Sequence, residues 1–127
     1  MLRPIIEFCS PVYHPLLSKE QSDNLERLQK LALKIIIGFN YTYVELLEIA
    51  EIKSLEERRK EAFQKFAVTL TKNERYRSWF PRIEEGTRNT RNIKIYTEEF
   101  ARTARLYNSP LFSMRRVQNK MIQEERR

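Results

Sequence analysis

Apolar residues recur along most of this chain at helical rather than alternating spacing. Three of the segments they define open on a hydroxyl followed three residues later by Glu or Gln: Ser18/Gln21, Thr42/Glu45 and Ser54/Glu57. In such a capping box the hydroxyl accepts from the third backbone amide while the later side chain reaches back to the cap. One match is weak. Three, each opening a helical apolar stripe, predict three helix starts. The first of these helices spans residues 19–37, with Leu25, Leu28, Ala32 and Ile35 or Ile36 as its buried stripe and Leu31 widening it. Gly38 stands where a left-handed C-terminal cap belongs. A short helix follows over residues 43–50, and another over 55–72. The latter carries Leu55, Ala62, Phe63, Phe66, Ala67 and Leu70 on one face and Glu56, Arg59, Lys60 and Gln64 on the other.

Upstream, Leu2, Ile5, Ile6 and Cys9 share one helical face, with Phe8 beside it, so residues 2–13 read as an apolar helix closed by Pro11 and Pro15. Met1 runs straight into that face without a cap, as if a helix had been entered partway. Beyond residue 73, Tyr76, Trp79 and Phe80 form an aromatic knot that Pro81 ends. Residues 82–98 read as loop with a short extended piece. A last helix spans 110–122, capped by Ser109, with Pro110 at the first position, where a missing amide costs nothing. Leu111, Met114, Val117 and Met121 are its apolar side. The expected fold is therefore mostly α: a small bundle of four to five helices with a loop-rich, arginine-rich C-terminal third. Its core should join the first, second and fourth helices through Ile5, Phe8, Leu28, Ala32, Ile35, Phe63, Phe66 and Leu70.

Charge divides the chain in two. The whole carries +7 over 127 residues. Residues 1–72, a helical module, hold 11 basic and 10 acidic side chains, whereas 73–127 hold 13 and 7, and 11 of those 13 are arginine. Charged residues make up 32% of the chain, against about 25% in an average domain, so the core is thin. No uninterrupted apolar run is longer than three residues, Ile35-Ile36-Ile37 being one such run, far short of the ~20 residues of a membrane span. The first residues lack the order of a signal peptide. The lone Cys9 fits a reducing compartment, so the expected location is intracellular, nuclear or cytoplasmic.

Catalytic constellations are missing. The only glycines are Gly38 and Gly86, so no phosphate-cradling loop is present. A single Cys and a single His cannot assemble a zinc site of the usual ligands, and no cofactor is implied. Cys9, among apolar neighbours, reads as a buried structural thiol, and His14 as a turn residue. The adjacent acidic pairs at Glu56, Glu84, Glu98 and Glu124 diverge instead of converging on a metal. The stronger signal is Arg75, Arg77, Arg82, Arg88, Arg91, Arg102 and Arg105, interleaved with Tyr76, Trp79, Tyr96 and Tyr107. The planar guanidinium fork suits phosphate, and aromatic faces beside it suit stacked bases.

Several stretches resemble a known family. Residues Leu2 to Pro15, Leu25 to Lys30 running on to Gly38, Tyr43 to Ile52 followed by Leu55 to Arg59, and finally Arg102-Thr103, Asn108-Ser109-Pro110 and Asn119 are similar, in order, to the end of jockey-like non-LTR retrotransposon reverse transcriptases. Tyr13 stands where that family usually has Trp. The family's catalytic aspartates lie upstream in the palm, and the only Asp here is Asp23. The resemblance implies a thumb and post-thumb fragment, parted from its palm and fingers, that grips RNA or an RNA/DNA duplex without catalysing polymerisation. On that reading Arg58 and Arg59 join the arginines after residue 73 as nucleic-acid contacts. The alternatives are a helical protein-interaction module whose exposed apolar face docks on a protein, and a non-functional remnant of a mobile element.

Overall fold

The computed structural model describes residues 2–83 and 94–125, with side chains from Pro4 onward. Among these residues the fold is all-α. Seven α-helices run in order: α1 (Leu2–Glu7), α2 (Ser10–Tyr13), α3 (Lys19–Ile37), α4 (Tyr43–Ile49), α5 (Leu55–Lys72), α6 (Ala104–Tyr107) and α7 (Pro110–Glu125). Two 3₁₀ segments, His14–Leu16 and Glu74–Trp79, complete them. The only strand-like pairing among the described residues is an isolated antiparallel bridge between Arg82 and Tyr96.

Local signals place the helix ends well. The Ser18 hydroxyl accepts from the Gln21 amide at 3.2 Å and Gln21 Oε1 accepts from the Ser18 amide at 3.0 Å. Thr42 and Glu45 make the same reciprocal pair at 3.4 and 2.7 Å. Ser54 Oγ accepts from the Glu57 amide at 3.2 Å. Gly38 does close α3, at φ 139° and ψ 162°, an extended positive-φ shape instead of the left-handed helical one expected. Helix α4 stops without glycine. Glu51 takes the left-handed shape, φ 52°, and the amides of Glu51 and Ile52 donate back to Glu48 and Leu47 carbonyls at 3.0 Å each, the two bonds of a Schellman closure.

The apolar segment 2–13 is broken, not continuous. Cys9 turns left-handed at φ 54°, and Pro11 sits in the first turn of α2, where it has no amide to leave unbonded. Cys9 is consequently exposed at the corner, which corrects the expectation of a buried thiol. His14 begins the 3₁₀ turn that follows.

The described chain divides into two compact units, Met1–Ala62 and Phe63–Arg127, with the division inside α5. In the first, α1 and α4 both pack on α3, and Leu46 and Leu55 are wholly buried at 0% exposure. In the second, Phe63, Ala67, Phe80, Tyr96 and Met114 form the core, with Leu70, Ile95, Leu111, Val117 and Ile122 against it. Phe80 and Tyr96 meet edge to face at 5.8 Å. Asn119 of α7 closes this core to the irregular chain beside it. Its Oδ1 accepts from the Ile95 and Tyr96 amides at 3.0 and 2.9 Å, and its Nδ2 donates to the Tyr96 carbonyl and to Glu98, both at 2.9 Å.

The expected core is corrected in consequence. Phe63 and Leu70 belong to the core of the second unit, while Ile5 is 78% and Phe8 76% exposed. Leu28 and Ile35 are exposed as well.

Candidate functional site

Helix α3 is built with its polar seam inward. Ser22, Glu26, Gln29 and Leu33 recur at the four-three-four spacing that lines one face of a helix, and Gln29 and Leu33 are buried. Each polar member has at least one partner, although Gln29 Oε1 is buried without one. Ser22 Oγ accepts from Arg59 Nη2 at 2.7 Å. Glu26 accepts from the Tyr43 hydroxyl and, at 2.7 Å, from the Glu56 amide at the start of α5. The Gln29 amide group reaches the Lys53 carbonyl at a long 3.5 Å. Burying polar groups is tolerable only with such partners.

Directing the polar seam inward leaves the apolar one outside. Leu28, Leu31 and Ile35, spaced i, i+3, i+7, are 50%, 52% and 68% exposed, and Ile36 beside them is 78% exposed. Phe39, Tyr41 and Val44, which follow along the chain, are exposed too. Large apolar side chains scattered singly on a surface need no explanation, but a continuous stripe over about two turns of one helix does. Periodicity finds this stripe readily. It assigns it to the core because nothing local shows that the opposite face will be satisfied by tertiary hydrogen bonds.

The arginines expected to grip phosphate are spread over different surroundings. Arg58 forms a two-pronged pair with Glu7, Nε and Nη2 donating at 2.5 and 2.8 Å, and this raises its pKa further above the ordinary value. Arg59 is 1% exposed, turned into the first unit toward Ser22, where an external phosphate does not reach it. Its placement corrects its expected role. Arg75, Arg77, Arg82, Arg102 and Arg105 are exposed. Arg75 lies 5.9 Å from the Tyr76 ring, which in turn tilts against Trp79 at 4.9 Å. Arg88 and Arg91 lie outside the described residues.

Two further arginines, which the sequence did not single out, are built into the second unit. Arg115 is buried, its Nε donating to the Trp79 carbonyl at 2.9 Å and its Nη1 3.4 Å from Glu99. Arg116 lies 3.7 Å from the Tyr107 ring and donates to the Tyr107 carbonyl at 2.6 Å and Ser113 Oγ at 3.0 Å. With Phe100, Phe112 and the Glu98 and Glu99 carboxylates they line a cavity of about 190 Å³. Part of their donor set is taken by the Trp79 and Tyr107 carbonyls, the Ser113 hydroxyl and the Glu99 carboxylate of the same chain, which braces the cavity wall. Among the described residues no three His, Cys, Asp or Glu side chains cluster to hold a metal, and no helix is long and apolar enough to cross a membrane.

No family model, no curated protein and no solved structure matches the chain. This overturns the terms reverse transcriptase, RNA-directed DNA polymerase, jockey-like non-LTR retrotransposon and mobile element for this chain, which rested on the sequence resemblance alone. The all-α fold of the described residues is independent of that resemblance.

Proposed function

We propose that the Met1–Ala62 unit is a helical protein-interaction module that docks through the outward stripe of α3. The supporting observation is the inversion of that helix. Its polar seam is turned in and hydrogen-bonded, and Leu28, Leu31, Ile35 and Ile36 are left exposed. Exposed apolar stripes rimmed by polar residues mark protein-docking surfaces, and laying a helix into an apolar face is a common way to use one. Arg58 and Arg59 weigh less as nucleic-acid contacts, because Arg59 is interior and Arg58 is already paired with Glu7.

The test is a displayed library of amphipathic helical peptides, selected on the purified full chain. Enriched peptides should lose at least about tenfold in affinity for the double variant Leu31→Gln/Ile35→Gln, the loss expected on removing central apolar contacts. Peptides that bind the variant as well as the parent would overturn the reading. So would RNA binding that weakens steeply with salt and ignores the double variant.

A further inference from the structure

The stripe has one open edge, and that edge is basic. Arg27, Lys30 and Lys34 each directly precede Leu28, Leu31 and Ile35. The basic residues therefore repeat the apolar spacing one position earlier, about 100° around the helix. On the opposite side of the stripe lies the inward seam of Gln29 and Leu33. Asp23 and Glu20 share the basic side but stand in the first turns, short of the apolar stretch. None of the three basic residues takes part in an ion pair among the described residues.

Resting on the docking reading above, we infer that the partner is an amphipathic α-helix whose apolar stripe is edged by Asp or Glu. Opposite charges flanking an apolar seam choose partner and orientation, as they do beside the core of a coiled coil. A second copy of the chain fits poorly. An antiparallel copy centred on the stripe pairs Leu28 with Ile35 and sets Arg27, Lys30 and Lys34 beside the same three residues. An anionic lipid surface is also a poorer fit. The first unit carries nine basic and ten acidic side chains, so it has no net attraction to a broad negative field, and its positive charge is confined to a line that a single acidic helix edge can match.

The experiment uses two designed peptides with one leucine stripe, edged by Glu in the first and by Lys in the second. Their binding to the full chain is followed by fluorescence anisotropy at low and at physiological salt. The Glu-edged peptide should bind at least tenfold more tightly, with the gap narrowing as salt screens the edge. The triple variant Arg27→Glu/Lys30→Glu/Lys34→Glu, with helicity checked by circular dichroism, should reverse the preference. Equal affinities for the parent chain, or a preference unchanged in the triple variant, would overturn the acidic-edge inference. If both peptides then still lose affinity on Leu31→Gln/Ile35→Gln, the docking reading survives alone. Failure of both peptides to bind overturns the two together. Tighter binding to phosphatidylserine vesicles than to the Glu-edged peptide would assign the edge to lipid and overturn the inference.

Discussion

Asn119 satisfies three backbone groups and a carboxylate with one side chain. Removing it strands the amides of Ile95 and Tyr96 and the carbonyl of Tyr96 beside a buried ring. Each stranded buried group costs about 1–3 kcal/mol, with relaxation and water recovering part of it. Asn119→Ala should therefore lower the denaturant-derived stability by about 2–4 kcal/mol. Arg59 presents the opposite case. It is interior, yet its Nε and Nη1 have no hydrogen-bond partner. A buried charge so incompletely satisfied is expensive to keep, and apolar replacements of similar size are often neutral or stabilising. Arg59→Met should raise the thermal midpoint, where a surface-arginine role predicts no change and an indispensable one a fall. His14 supplies a pH dependence. Burial first, then the nearby Arg59 and Lys60 charges, holds its imidazole below the ordinary 6.5. Its folded pKa is thus depressed, and between the two values the unfolded chain binds more protons. Its contribution to stability is complete above 6.5 and is lost as the pH falls from there toward the lower native value. Thermal melts from pH 7 to pH 5 should decline more steeply for the parent than for His14→Gln, and parallel declines would exclude this origin.

At the scale of elements, the chain uses side-chain caps at helix starts and tolerates an unfavourable residue at one helix end. Glu51 is forced into the left-handed region that closes α4, a shape that costs a residue with a Cβ about 1–2 kcal/mol. Glu51→Gly should relieve that strain and, after the larger entropy loss of glycine on folding, leave a net gain of about 0.5–1 kcal/mol, read as a shift of the denaturation midpoint. The capping boxes of α3 and α4 were legible because their donors and acceptors lie three residues apart. The break between α1 and α2 was half legible. Pro11 marked an end, but its place inside a new first turn depends on the left-handed Cys9, which no residue preference announces. Helix α6, four residues capped by Thr103, is too short to leave a periodic signal.

On the scale of the molecule, each unit keeps its own core, and α5 supplies residues to both. That explains why the single core expected across the first, second and fourth helices does not form. Phe63 and Ala67 turn to α7 and the aromatic knot, leaving Ile5, Phe8 and the α3 stripe outside. Exposed side chains contribute little to folding, so Leu31→Gln/Ile35→Gln should change stability by no more than about 0.5 kcal/mol. A core role would cost several times that. Equilibrium denaturation of the double variant distinguishes the two without any partner.

The sequence by itself determined where the long helices begin and where α3 ends, because capping boxes, Gly38 and Pro110 act on backbone groups a few residues away; the last helix, expected to stop at residue 122, runs on to Glu125. It determined too that α3 carries one apolar and one polar face. Only the tertiary structure decided which face is inside. The groups that satisfy the polar seam, Tyr43, Glu56 and Arg59, stand 17, 30 and 37 residues from their partners on α3. A pattern of hydrophobicity sees apolar surface but not distant hydrogen-bond partners. It therefore placed Leu28 and Ile35 in a core that the fold assigns to other residues.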